Sequence, residues 1–188
     1  MGNKRAVFTS LKEADASDWL LIKQESSIKE HSISKDVLSL FDKLKGRGTS
    51  YPIDRYEHSL QTATRAYKDG ADDELVVVAL LHDIGDTVAP QNHGEFAASL
   101  LRPYISETNC WLIENHEIFQ GYYYYHFLGL DRNHRERFSN HPAYQRTINF
   151  CEQWDQCSFD PSYESFPISF FELFVEKVFS SIPWVRND

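Results

Sequence analysis

Ala79-Leu80-Leu81-His82-Asp83-Ile84-Gly85-Asp86 places a histidine and an aspartate directly after an apolar run that begins at Leu75. Imidazole and carboxylate groups at the edge of a core are costly to bury unless something pairs with them, and a metal ion is the usual partner. Four histidines and two aspartates along the chain form a candidate ligand series: His58, His82, Asp83, His93, His116 and Asp155. Six such side chains exceed the needs of one ion and suit two.

The series is coherent only if its members lie on helices. His58 lies within residues 54–70, which begin with an acidic turn and end at a glycine, as helices commonly do. Apolar residues recur along this stretch at steps of three and four, which predicts one inward face: Leu60, Ala63 and Tyr67. The apolar run 75–81 predicts a buried helix or a buried strand, and periodicity alone leaves both open. The acidic residues 72–74 before it favour a helix N-terminus.

The rest of the pattern predicts helix after helix, so we expect an all-α fold. We expect helices at about 17–30, 34–45, 54–69, 73–84, 91–103, 107–120, 122–129, 142–157 and 168–181. Prolines fall at or near most of the predicted breaks, where they are tolerated. A chain of 188 residues suits one domain over 1–188. Within it, we expect a helical pair over 1–48 to pack on a metal-binding core over 50–181.

The motif resembles the HD-domain superfamily, which is named for its His-Asp pair. The resemblance covers roughly residues 50 to 180 and implies a helical bundle whose core helices each supply ligands to a metal site. It implies that the mononuclear site of the simple phosphohydrolases in this family is formed here by His58, His82, Asp83 and Asp155. It also implies that His93 and His116 add the two ligands found in the dinuclear members.

Two dinuclear classes of the superfamily compete. One hydrolyses cyclic dinucleotides and usually carries a lysine directly after its His-Asp-x-Gly run, where this chain has Asp86. The other contains the oxygenases, which include myo-inositol oxygenase and enzymes that cleave organophosphonates. Since myo-inositol oxygenase also carries that lysine, Asp86 argues against the first class without proving the second. We also expect the short chain to stand without a receiver or sensor domain.

Spacing favours a resemblance to the phosphonate-cleaving oxygenases. His82 follows His58 by 24 residues, and His116 follows His93 by 23. Residues 56–61 nearly repeat a segment of that group, and residues 119–131, 154–156 and 159–163 are similar to its branch acting on a trimethylammonium-bearing hydroxyphosphonate.

This resemblance implies a di-iron oxygenase that uses O2 to cleave the C–P bond of a 1-hydroxy-2-(substituted amino)ethylphosphonate. Its cofactor would be a mixed-valent Fe(II)/Fe(III) pair. The alternative is a metal-dependent HD phosphohydrolase that acts on a nucleotide or phosphomonoester with Mn or another divalent metal.

The candidate ligands are chemically suited to these metals, but they do not distinguish one metal from another. Imidazole and carboxylate ligands suit Fe, Mn or Zn, and the sequence does not distinguish Fe from Mn. Two ions within roughly 4 Å can clamp oxygen ligands between them, and Asp83 is the natural bridging carboxylate. Three further histidines are predicted to be ordinary surface or core residues: His31, His134 and His141.

Substrate contacts are predicted around the ligand series. Phosphonate-cleaving relatives hold a tyrosine upstream of the first histidine, at a position that falls on Gly48 here, which leaves Tyr51 as the nearest candidate for a gating ligand. Gln120 and Glu152 stand where a phosphonate-binding cation is expected. The run 122–125 predicts either a packing helix or an aromatic wall that could bind a quaternary ammonium group. We expect substrate contacts from Gln120, Tyr123, Tyr124, His126 and Arg132.

Composition limits the partners more loosely. A net charge of −9 disfavours nucleic acid, which needs a basic face. No apolar run is long enough to predict a membrane span, and no secretory signal is visible. Three cysteines without a Cys-x-x-Cys motif favour free thiols and a reducing cytoplasm. We therefore expect a cytoplasmic protein with a small-molecule substrate, and the oligomeric state stays open.

Overall fold

The computed structural model describes residues 5–30, 33–48 and 50–180, and the chain divides into two compact units, 1–37 and 38–188. The first unit contains helix α1 (Ala16–Glu30) and the start of α2 (Ile33–Phe41). The second contains the end of α2 and six further α-helices: α3 (Arg55–Lys68), α4 (Asp73–Leu81), α5 (His93–Leu101), α6 (Glu107–Tyr124), α7 (Tyr144–Phe150) and α8 (Ile168–Phe179).

Short helical turns join several of these elements. The 3₁₀ turns are Asp42–Leu44, Ile84–Thr87, Tyr125–Leu128 and His134–Phe138, and Cys151–Asp155 forms a π-helical turn. All regular structure in the described ranges is helical, which confirms the predicted all-α fold and is consistent with an HD-type bundle. His31 lies outside the described residues.

Helix α4 forms the centre of the core. Every residue from Leu75 to Leu81 is buried, and the helix packs against α3, α6 and α8. The strand alternative for this run is therefore wrong, because a helix surrounded by other helices can be apolar on all sides. Asp72 caps its N-terminus by accepting a hydrogen bond from the Leu75 N–H at 2.8 Å.

Helix α4 ends earlier than expected. The α-helix stops at Leu81, so His82 and Asp83 lie in the turn that leads into the 3₁₀ helix Ile84–Thr87. This turn directs the two neighbouring side chains into the interior, where both are buried.

Two other expectations fail at helix boundaries. We expected a break near residue 121, but α6 continues to Tyr124 and only a 3₁₀ turn follows, so a separate helix over 122–129 is wrong. Gly121 does not break the helix there. It makes room for the Tyr125 ring, which an added Cβ would approach to 2.4 Å.

The helix expected over 142–157 is also divided. Its α-helical part ends at Phe150, and the chain widens into the π-helical turn Cys151–Asp155. None of the described helices combines the length and apolarity that crossing a bilayer requires.

Candidate metal centre

Three buried side chains from separate elements meet in a first ligand cluster, which consists of His58, His82 and Asp155. The Nε2 atoms of His58 and His82 are 3.2 Å apart. Asp155 Oδ1 lies 3.2 Å from His58 Nε2 and 3.5 Å from His82 Nε2. Helix α3, the turn after α4 and the π-helical turn therefore bring together three side chains of the kinds that bind metal ions.

A second cluster joins His93 and His116 to Asp83. Asp83 Oδ1 lies 3.1 Å from His93 Nε2 and 3.4 Å from His116 Nε2. The other oxygen of this carboxylate, Oδ2, lies 3.6 Å from the Nε2 atoms of both His58 and His82. The two oxygens of Asp83 thus face two different pairs of imidazoles, which is the geometry expected of a bridging carboxylate.

Backbone carbonyls orient three of the four imidazoles. The Nδ1 atoms lie 2.8 Å from Ser158 O for His58, 2.9 Å from Ala79 O for His82 and 2.7 Å from Ile113 O for His116. A ring N–H that donates to these carbonyls leaves the Nε2 lone pair directed into the clusters. This arrangement is the usual way in which proteins prepare histidines as metal ligands.

The two carboxylates leave the clusters rich in acceptors. Both oxygens of Asp155 are buried and lack an ordinary hydrogen-bond donor among the described residues. His58 and His82 reach Asp155 only through Nε2, which would donate a hydrogen bond only if the ring carried a second proton. Converging lone pairs and buried carboxylates are stabilised by a cation, so the donor set fits metal ions.

The pKa values of the site reflect the same charge balance. Burial by itself would raise the pKa of Asp83, but His82, hydrogen bonds to His116 and His93, and Arg55 hold it well below its usual range. Burial acts in the same way on Asp155, and His82 and His58 likewise lower its pKa. Both aspartates are therefore carboxylates at neutral pH, as metal binding requires.

Residues 55–145 match the family model of the HD domain. This match supports the predicted relation of the chain to the HD-domain superfamily, which contains metal-dependent hydrolases and oxygenases. No curated protein matches the chain significantly.

The HD-domain match contains five of the six candidate ligands. Asp155 lies beyond its end, and the π-helical turn brings this residue back to the first cluster. All six candidate ligands therefore lie at the two adjoining clusters. Their role as ligands stays a prediction.

A pocket of about 380 Å³ opens onto the two clusters. Besides the ligands, its lining consists of Tyr51, Arg55, Glu117, Gln120, Tyr123, Tyr124, Gln156 and Phe159. Burial raises the pKa of Tyr123 and Tyr124 to about 12, so both phenols stay neutral. This lining is a mixture of aromatic faces and a few polar groups, as is common in small-molecule sites.

The predicted substrate contacts divide into two groups. Tyr51, Gln120, Tyr123 and Tyr124 line the pocket. His126 and Arg132 are not part of this lining. Arg132 instead lies over the Tyr122 ring, at 4.2 Å from its centroid, so a substrate role for it is not supported by this pocket.

Sequence reasoning missed four residues of the pocket lining: Arg55, Glu117, Gln156 and Phe159. Arg55 Nη1 lies 3.1 Å from Asp83 Oδ2, and its guanidinium stacks on Tyr51 at 4.5 Å. It precedes His58 by one helical turn, so helix spacing could have identified it. The Phe159 ring stacks on His58 at 4.4 Å between centroids, a contact across 101 positions that no local pattern predicts.

Proposed function

We propose that this protein is a di-iron oxygenase that uses O2 to cleave the C–P bond of a small hydroxyphosphonate bearing a substituted ammonium group. The observation that carries the proposal is the divided carboxylate of Asp83. Its Oδ1 faces His93 and His116, and its Oδ2 faces His58 and His82. This arrangement supports two neighbouring ions, which the simple HD phosphohydrolases do not need.

The pocket favours a small substrate. Its volume of about 380 Å³ is at the low end of the range for ligand sites. A cyclic dinucleotide, with two bases and two sugars, is a poor match for such a space. The pocket size thus agrees with Asp86, which stands where the cyclic-dinucleotide hydrolases usually carry lysine.

The charges of the pocket suit a molecule with opposite charges at its ends. Arg55 is the only lysine or arginine in the described lining, and it supplies a cation that Gln120 and Glu152 do not. Burial disfavours the Arg55 cation, but the negative charge of Asp83, together with Tyr51, Asp86 and Asp155, outweighs this effect and raises the pKa of Arg55. Guanidinium N–H groups bind phosphonate oxygens well, while Tyr123 and Tyr124 offer aromatic faces to an ammonium group.

The position of Tyr51 is compatible with a gating role. Gly48 has a φ of +73°, a left-handed conformation that disfavours tyrosine, and an added Cβ would lie 3.3 Å from the Arg55 side chain. Tyr51 lines the pocket, stacks on Phe159 at 5.4 Å and is 48% exposed. We propose Tyr51, rather than residue 48, as the tyrosine that responds to substrate.

The proposed reaction balances with O2 as the sole oxidant. One hydroxyphosphonate and one O2 give one carboxylic acid, formed from the carbinol carbon, and one inorganic phosphate. A pair of irons, when bound, would supply the redox chemistry that activates O2. The residues of this chain hold the ligand geometry, bind the anionic end of the substrate through Arg55 and shield the reacting carbon from water.

The test is a comparison of aerobic and anaerobic turnover in iron-loaded protein. We expect phosphate release from 1-hydroxy-2-aminoethylphosphonate or its N-methylated forms only in air, with consumption of O2. The His116→Ala variant should lose this activity, whereas His134→Ala, which changes an exposed histidine, should keep it. No turnover of any phosphonate in air would contradict the proposal.

The second candidate is a metal-dependent phosphohydrolase. The ion pair between Arg55 and Asp83 favours this candidate, because a cation beside two metal ions would also suit a phosphate ester. A panel of phosphomonoesters and nucleotides, assayed with Mn(II) in the absence of O2, separates the two functions. Rapid phosphate release from that panel would replace the oxygenase with the hydrolase.

A further inference from the structure

His93 differs from the other three histidines in what orients its ring. The Nδ1 atoms of those three lie 2.7–2.9 Å from backbone carbonyls. His93 Nδ1 is 3.5 Å from the nearest such carbonyl, Pro90 O, but only 3.1 Å from Oε1 of Glu117. A carboxylate therefore takes the place that a carbonyl has at the other rings.

Glu117 is itself held in position from both sides of the second cluster. It follows His116 directly on α6, and its Oε1 accepts a hydrogen bond at 3.1 Å from the N–H of Gly94, next to His93 on α5. One carboxylate oxygen thus connects the two helices that supply the second cluster. Because Oε1 of Glu117 contacts His93 at Nδ1, the ring atom away from Asp83, this oxygen lies on the opposite side of the imidazole from the second cluster.

The second cluster also has fewer protein ligands than the first. An ion at the first cluster would meet His58, His82, Asp155 and Oδ2 of Asp83. An ion at the second would meet two imidazoles and Oδ1 of Asp83. A site with three ligands depends more strongly on the basicity and orientation of each one, and a carboxylate on the far nitrogen increases both.

We propose that Glu117 is the positioning residue that retains the second metal ion. With Glu117 the protein holds two ions, and loss of its charge weakens the binding of the second ion. The inference rests on the two-ion site of the proposed function, but it does not depend on the reaction or on the substrate.

Glu117→Gln tests this inference, because glutamine keeps the shape and an acceptor oxygen and removes only the charge. Glu114→Gln is the matched control. Glu114 lies one turn earlier on α6, has a side-chain exposure of 40% compared with 35% for Glu117, and pairs at 3.7 Å with Arg102, away from both clusters.

The measurement is anaerobic titration of the metal-free proteins with Mn(II), followed by the EPR signal of free, single and magnetically coupled ions. In Glu117→Gln we expect the second binding step to weaken by about 10–100-fold, with loss of the coupled signal. The first step should change by less than about threefold, and thermal midpoints of the metal-free variants should agree. Glu114→Gln should retain both steps.

Three outcomes would overturn the inference, and they differ in what they mean. Two coupled ions of undiminished affinity in Glu117→Gln, or equal weakening of both steps, would remove the role of Glu117 and leave the two-ion site intact. A single binding step in the unaltered protein would overturn the two-ion proposal together with this inference.

Discussion

Asp83 is the side chain shared by the two clusters, since each of its oxygens faces a different pair of histidines. Its carboxylate is almost completely buried and is paired with Arg55. Removal of one partner from a buried charged network is strongly destabilising unless another group replaces it. Asp83 and Arg55 are therefore the residues at which substitution should discriminate best between the possible roles of the site.

Asp83→Ala should prevent stoichiometric binding of both ions, because it removes one candidate ligand from each cluster at once. Elemental analysis of protein produced in iron-rich medium should show a fall from two ions per chain towards none, with loss of turnover. Asp86→Ala, three residues later and outside both clusters, should keep two ions. Equal losses in the two variants would mean that the ligand assignment is wrong.

Arg55→Gln should weaken phosphonate binding, while the glutamine amide keeps a hydrogen-bond donor for the buried Asp83 carboxylate. Hydrogen bonds to charged groups contribute about 1.5–3 kcal/mol, which corresponds to roughly ten-fold or more in affinity. Isothermal titration of the metal-loaded variant with methylphosphonate measures this loss. The control is Arg47→Gln, an exposed arginine outside the pocket lining. Unchanged affinity in Arg55→Gln, with full metal loading, would assign Arg55 to the support of Asp83 alone.

At the scale of elements, the second cluster depends on how closely α5 approaches α6. Gly94, next to His93, has no side chain to separate the two helices. An added Cβ would lie 2.8 Å from Ile113 O and 3.3 Å from the His116 ring. The distance between His93 and His116 is thus set by a glycine whose role is packing rather than turn formation.

Gly94→Ala should move α5 away from α6 and impair the second ion more than the first. Overpacking of this kind costs about 1–3 kcal/mol of stability, although alanine is otherwise the better helix former. Chemical denaturation and Mn(II) titration would measure the two effects. Glu95→Ala, on the exposed side of the same helix, should change neither, and an undisturbed second binding step in Gly94→Ala would refute the packing argument.

The N-terminus of α4 offers a second test at this scale. Asp72→Ala removes the side chain that accepts from the Leu75 N–H, and loss of such a cap costs about 1 kcal/mol. Asp72→Asn should retain most of the stability because asparagine is an equally good cap. Urea denaturation of both variants would measure the difference, and equal stabilities would show that the cap contributes little here.

At the scale of the whole molecule, bound metal should contribute to the stability of the second unit. The six candidate ligands come from α3, the turn after α4, α5, α6 and the π-helical turn, so metal binding at both clusters would link most of its elements. Ions bind the native arrangement better than the unfolded chain, and ligand present at 100 times its dissociation constant stabilises by about 2.7 kcal/mol.

Removal of metal by a chelator should therefore lower the thermal midpoint of the unaltered protein by several degrees, given about 2–4 °C per kcal/mol for a chain of this size. Readdition of Fe(II) or Mn(II) should restore it. Asp83→Ala should show no such shift in either direction. If neither the chelator nor added metal changed the thermal midpoint of the unaltered protein, tightly bound ions would be excluded.

Local patterns in the sequence predicted the helical class and the burial of residues 75–81, with helix and strand both left open for that run. Together with the family resemblance, they also indicated the six candidate ligands. These features depend on side-chain chemistry and on periodicity within one element, both of which are legible along the chain. The same reasoning erred at Leu81, Gly121 and Phe150, because helix ends depend on what packs against them. Gly121 is an example, since the ring of Tyr125 occupies the space beside it.

Contacts between distant segments required the folded chain. The division of the Asp83 oxygens between two histidine pairs, the stacking of Phe159 on His58 and the approach of Glu117 to His93 all join residues from different elements. Distances of about 3 Å between such groups are set by helix packing and by the widened turn at Cys151–Asp155, neither of which has a local signature. The set of candidate ligands is thus a property of the sequence, while their pairing into two clusters is a property of the packed helices.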